Sequence, residues 1–295
     1  MRKRNKHWKG IILFILPVLI IYGAFFLYPL GFVGIVSLVK WNGVTPMRFV
    51  GLQNYISNFA NPVFQTAFRN NFIWAFSLGF IQVAFAALVA LILARRPPAW
   101  KMLRTIFFLP NVISKVAIAM MWLALYNADY GLINTLLGKL GLAGLEQNWL
   151  GQTTTALPAV IFQEAVYIGY FMIIVLAGAM SIPESFYEAA EMDGASVFQQ
   201  ERFITIPMVR GILVTSMTLA VAFGLRHFES TFLMTRGGPA NSTQTMGLLL
   251  YENLGSLDYG HANAIGAVLI IVGAVIIVII RRVFGDREAG AEARQ

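Results

Sequence analysis

The chain has 295 residues, of which 58% are hydrophobic and 12% charged, with a mean hydropathy of +0.68. A soluble domain carries about 25% charged residues, so the composition excludes a soluble globular enzyme and a disordered chain. Cysteine is absent, which leaves no disulfide framework and no thiolate metal site, and the net charge of +8 has to be judged by where the basic residues sit.

A hydrocarbon core about 30 Å thick needs roughly 20 apolar helical residues. Residues 1–10 form a basic tail, and 11–39 carry no charge. That run is too long for a secretory leader and has no small-residue cleavage site, so an uncleaved first span is expected, bent at Pro17 and Pro29. An external loop at 40–70 leads to a second span at 70–94. A third is expected at 105–128, interrupted only by Lys115, and a fourth at 147–183, interrupted only by Glu164. A fifth at 211–225 is extended by 228–235, and a sixth covers 262–280 before a tail at 282–295. The expected fold class is all-α, a polytopic membrane protein with six transmembrane helices and no soluble domain.

The basic residues orient these spans. With the N-terminus cytoplasmic, the inner segments hold 15 Lys and Arg and the outer loops six. The positive charge is therefore a topology signal, and nucleic acid is not an expected partner. Trp8, Trp41, Trp74, Trp100, Trp122 and Trp149 fall near expected span ends and suit an aromatic belt at the lipid interface.

Polar chemistry is sparse. His7, His227 and His261 form no zinc-binding pair. Gly131 and Gly138-Lys139 fail the spacing of a phosphate-binding loop, and no catalytic triad stands out. An ionisable group at mid-bilayer costs about 2.5–3.5 kcal/mol on insertion scales. Lys115 and Glu164 thus mark either a polar substrate path or a structural interhelical pair. Gln163, Tyr167 and Tyr170 lie beside Glu164 or a helical turn away, and tyrosines near a carboxylate suit a hydroxyl-rich ligand. Arg226, His227 and Glu229 are expected to snorkel at the outer end of the fifth span.

Residues 181–207 are the most informative. Ser181 and Glu184 fit a capping box, with Pro183 in the permitted first turn, and Glu184, Glu188 and Glu191 share the helix face that follows. Gly194 ends that helix, a second short helix covers 195–202, and Pro207 closes the unit before the fifth span. Ala189-Ala190 permits close approach, so the elbow suits partner docking.

Glu188-Ala189-Ala190, three residues, Gly194, nine residues and Ile204-Thr205-Ile206-Pro207 resemble the "EAA" signature of permease subunits of binding-protein-dependent ABC importers. Ile206 stands where leucine is usual. Asp193-Gly194-Ala195 resembles the carbohydrate-uptake branch. Further likenesses, in the family's order, are Phe49-Val50-Gly51-Leu52-Gln53-Asn54-Tyr55, Thr235-Arg236-Gly237-Gly238-Pro239, and Tyr259-Gly260 with Ala262 and Ala264. The likeness covers residues 11–285.

The resemblance implies a type I ABC importer permease fold, with the transmembrane core at 71–281, in a bacterial or archaeal plasma membrane. It implies a pathway shared by two permease subunits, two cytoplasmic ATPases that carry ATP and Mg, and an external solute-binding protein. This chain would need no cofactor and hydrolyse nothing. Glu188, Ala189, Ala190, Asp193, Gly194, Ala195, Ile204 and Pro207 would couple it to the ATPase. Gln163, Glu164, Tyr167, Tyr170 and Lys115 would line the path for a sugar. Gly237, Gly238 and Pro239 would form a binding-protein contact or a plain turn. The Thr-x-Gly-Gly-Pro form points to a different second permease, with a homodimer as the alternative. The rival classes are a secondary transporter, which would show inverted repeats and ion-coupling charges, and an intramembrane hydrolase, which would need a nucleophile and base.

Overall fold

A computed structural model describes residues 8–285. The expected tails at 1–10 and 282–295 lie largely outside the described residues, as do His7 and the side chain of Trp8. Five helices are long and apolar enough to cross a membrane: Ile12–Val36, Pro62–Ala94, Ala156–Met180, Arg210–Met234 and Tyr259–Phe284. A bent pair, Trp100–Val112 and Lys115–Leu125, makes a sixth when counted as one span. The spans are numbered in this chain order. Among the described residues, strand pairing is limited to Val39–Lys40 with Arg48–Phe49.

The chain divides into two compact units. The first comprises residues up to 61 and 249–268. From Ile12 to Ile35 no residue of the first span is buried within this chain, so that helix presents most of its apolar side chains outward. The "external loop" is ordered. Asn54 Nδ2 donates to the carbonyls of Ser37 and Val39, each at 2.9 Å, and Tyr55 OH donates to Ser37 Oγ at 2.7 Å. Tyr259 stacks obliquely on Trp41 at 5.3 Å, and a Cβ at Gly260 would strike the Val39 carbonyl. The Asn54-Tyr55 and Tyr259-Gly260 likenesses are thus packing devices.

The second unit holds residues 62–248 and 269 onward. Its core is built by the second span (Trp74, Leu78, Val83, Ala86, Ala90, Leu93), the fourth (Phe171, Met172, Val175, Leu176) and the fifth (Ala220). Without a hydrophobic force between helices in lipid, small residues at contacts let backbones pack. Ala86 and Ala90 are fully buried for this reason, and Gly224 lies against the Ala75 backbone. Trp74 and Trp122 belong to this core, which corrects the belt expected of all six tryptophans: their indoles fill helix–helix contacts.

Several boundaries also differ. The third span starts at Trp100 and turns by 100° near Ile113-Ser114. Pro110 lacks an amide donor, the turn Leu109–Val112 tightens to 3-10 form, and Ile113 and Ser114 adopt extended ψ angles of 143° and 133°. The fourth span begins at Ala156 because 147–155 is occupied by turns. There Gly151 N donates to Asn148 Oδ1 at 2.9 Å and Thr155 Oγ1 to the Trp149 carbonyl at 2.8 Å. The second span reaches back to Pro62, inside the expected loop.

Candidate functional site

Four spans of the second unit lose regular helix where they meet one cavity. The second forms a π-turn at Ser77–Gln82, the third breaks before Lys115, the fourth is interrupted between Ala165 and Gly169, and the fifth between Leu225 and Glu229. At membrane depth, free backbone groups are tolerated only where protein or water satisfies them. Side chains supply part of this. Gln82 Nε2 donates to the carbonyls of Glu164 at 3.0 Å and Tyr167 at 3.2 Å. Asn71 Nδ2 donates to the Leu225 carbonyl, while its Oδ1 accepts from Met246 N at 2.8 Å.

The cavity measures about 660 Å³. All five residues expected on the substrate path, Lys115, Gln163, Glu164, Tyr167 and Tyr170, line it. Lys115 Nζ pairs with Glu164 Oε1, and Ser230 Oγ donates to Glu164 Oε2 at 3.3 Å. The Lys115 side chain is 48% exposed and that of Glu164 14%. These charges form an interhelical pair, and the pair is part of the cavity wall. Tyr167 OH accepts from Trp122 Nε1. Phe171, Phe223 and Phe228 supply aromatic faces.

Arg226, His227 and Glu229 also line the cavity, Arg226 and Glu229 as exposed residues and His227 as a buried one. His227 is buried and stacked on Trp74, with ring centroids 3.7 Å apart. Its Nε2 and Gln163 Oε1 are buried without a hydrogen-bond partner among the described residues. The one signal for Gln82 was an amide in an otherwise apolar run, and the role of His227 had none.

The 181–207 segment folds as an elbow. Its first limb is the helix Ser185–Met192. The expected capping box is not at its start: Glu184 is already helical, and Ser181 Oγ donates to the Gly178 carbonyl at 2.7 Å. The box belongs to Ser196 and Gln199, at the head of Val197–Gln200. Gly194, at φ +77°, ends the first limb in a Schellman turn, with Ala195 N donating to the Ala190 carbonyl and Gly194 N to that of Glu191, both at 2.9 Å. The second limb does not stop at Pro207. It passes through a π-turn at Glu201–Thr205, which contains Ile204, and runs through Ile206–Met208 towards the fifth span. Glu188, Ala189, Asp193 and Pro207 are exposed, as are the large apolar side chains of Met192 and Phe198.

Gly237, Gly238 and Pro239 form an inward-folded turn. Thr243 Oγ1 donates to the Gly238 carbonyl at 2.8 Å, and Asn70 Nδ2 to the carbonyls of Ser242 at 2.8 Å and Gln244 at 2.9 Å.

Residues 82–287 match the family described as "Binding-protein-dependent transport system inner membrane component". The chain is 33% identical over 265 residues to a probable ABC transporter permease protein of Bacillus subtilis, covering 88% of this chain and 90% of that protein. It is 33% identical over 261 residues to the trehalose/maltose transport system permease protein of Thermococcus litoralis, covering 86% of each. A chain from the crystal structure of a bacterial ABC transporter involved in import of the acidic polysaccharide alginate superposes with a TM-score of 0.81 at 24% identity, covering 95% of this chain and 98% of that one. The fold is that of a type I ABC importer permease.

Proposed function

The chain belongs to the binding-protein-dependent transport system inner membrane components, and from that premise we propose that it forms half of the membrane pathway of an ATP-driven importer of a sugar or oligosaccharide. The cavity at the helix breaks carries this reading. It offers aromatic faces, a paired charge and two unpartnered buried polar atoms, the combination that holds a polyhydroxylated solute. Relatives that transport trehalose/maltose and arabinooligosaccharides support the solute class.

Alternating access needs a motor. Moving a two-state pathway from 1:99 to 99:1 takes about 5.5 kcal/mol of differential binding. The elbow is the seat for one of two partner ATPases, which carry ATP and Mg, and its exposed apolar side chains would be covered by that subunit. The elbow faces the cytoplasm, as the basic flanks require. The Gly237-Gly238-Pro239 side receives a solute-binding protein, and the second permease is a different chain. Purification of the intact complex from its native membrane is the test. A co-purifying ATPase, stimulated by a solute-binding protein, is expected. Solute uptake by the chain alone, driven by an ion gradient, would instead establish a secondary transporter.

Gly194 makes a sharper test. A Cβ there would meet nothing within 4 Å, so the constraint is its left-handed backbone and not space. A non-glycine residue in that region costs about 1–2 kcal/mol, with asparagine the best tolerated. Gly194→Asn should keep stimulated ATPase activity close to that of the unaltered complex. Gly194→Val should lose most of it. Equal activities would remove the elbow turn from the coupling path.

A further inference from the structure

We infer that Arg95 is a positioning residue that holds the elbow at a fixed angle and ties it to the second span. This rests on the importer reading only for what the tie transmits; its geometry stands independently. Arg95 caps the C-terminal end of Val83–Ala94, where a cation complements the helix dipole. No covalent connection joins this point directly to the elbow. Its Nε donates to Glu201 Oε1 at 2.6 Å and its Nη1 to Gln200 Oε1 at 3.0 Å, both on the second limb. The same guanidinium lies over the ring of Tyr187, on the first limb, at 5.7 Å.

The two limbs are also bonded to each other. Tyr187 OH and Thr205 Oγ1 are 2.9 Å apart, and Gln200 Nε2 reaches Glu191 Oε1 at 3.4 Å. Gln200 is buried, and Glu201 Oε2 is buried without a hydrogen-bond partner among the described residues. Arg95 is thus the cation paired with that carboxylate, and its removal strands a partly buried charge. Lysine is no substitute, because a single ammonium cannot present the planar fork that reaches two acceptors and lies over a ring.

The mechanical consequence follows from the hinge. The Schellman turn at Gly194 joins two short limbs through one left-handed residue. A push on the first limb would be spent in bending that joint unless the limbs were stapled. With Arg95 in place the push reaches the second span as well. That helix carries it to Gln82, which grips the interrupted part of the fourth span at the cavity.

The chain has no cysteine, so reporter pairs can be placed without background. Nitroxides at Ile92→Cys and Ser185→Cys, both exposed positions, report the distance between the second span and the elbow in the purified complex. With Arg95 present, a single narrow distance distribution is expected, keeping its width when a non-hydrolysable ATP analogue is added. Arg95→Met is expected to broaden it and to lower binding-protein stimulation of ATPase about tenfold. Arg95→Lys should fail to restore either, and Glu201→Gln should reproduce both in a complex of unchanged subunit composition. Glu201→Gln also stands in if Arg95→Met fails to assemble. Unchanged widths in Arg95→Met, or in Glu201→Gln where that variant stands in, would overturn the proposal. A broadened distribution in a preparation without ATPase subunits would keep the staple and sink the importer reading.

Discussion

Replacing Lys115 by methionine is expected to destabilise the protein by roughly 2 kcal/mol. Breaking a fully buried ion pair costs about 3–5 kcal/mol, and the exposure of Lys115 reduces that. The cause is the partner: Glu164 keeps one serine hydroxyl and loses its cation in a largely buried wall. Glu164→Gln should cost less, since the lysine left behind is about half exposed to the cavity and keeps solvent. The double variant Lys115→Met/Glu164→Gln should recover most of the stability, because two neutral groups leave no stranded charge. Thermal unfolding of the detergent-solubilised protein reads this. Additive losses in the double variant would mean the two residues do not act as a pair. Uptake is expected to remain impaired in all three, since the cavity wall is altered in each.

Gly224→Ala is expected to be strongly destabilising. A Cβ there would lie 2.6 Å from Ala75 Cα and 2.7 Å from Ala75 N, so it meets backbone and no side chain can move aside. Overpacking costs typically 1–3 kcal/mol, and the upper end, about 3 kcal/mol, is expected where two spans must separate. Gly273→Ala is the control. Its nearest neighbour would be 3.9 Å away, and the alanine should be neutral or gain about 0.5–1 kcal/mol of helix propensity. The monodisperse fraction after size-exclusion chromatography and the midpoint of unfolding separate the two variants. Equal behaviour would refute the close contact of the second and fifth spans.

The spans were legible because apolar length is set by bilayer thickness, and the runs met it, the fifth only once 228–235 extended 211–225. Their interruptions were not. The break near Ile113 lies inside a run whose one charge is Lys115, and its cause, Pro110, is a residue tolerated in many membrane helices. The capping box was misplaced for a related reason. Ser181 and Glu184 have the right spacing, but the chain enters the elbow already helical, and the Ser181 hydroxyl turns back to the fourth span. The burial of His227 against Trp74 had no sequence mark either, since a ring-stacking partner 153 positions away leaves no local pattern. By contrast, Lys115, Gln163, Glu164, Tyr167 and Tyr170 were identifiable together, because polar groups in an apolar run are expensive and therefore point to one another.

The broken third span bears on how the chain is made. The helix Lys115–Leu125 has 11 residues and is about 16 Å long, half of a hydrocarbon core about 30 Å thick, and it opens with a cation. Such a piece is a poor candidate for release into lipid during synthesis. Its residence is favoured by the later arrival of the segment bearing Glu164, so the two are expected to leave the translocation machinery as neighbours. Membrane integration of this stretch is therefore a decision taken jointly by two segments.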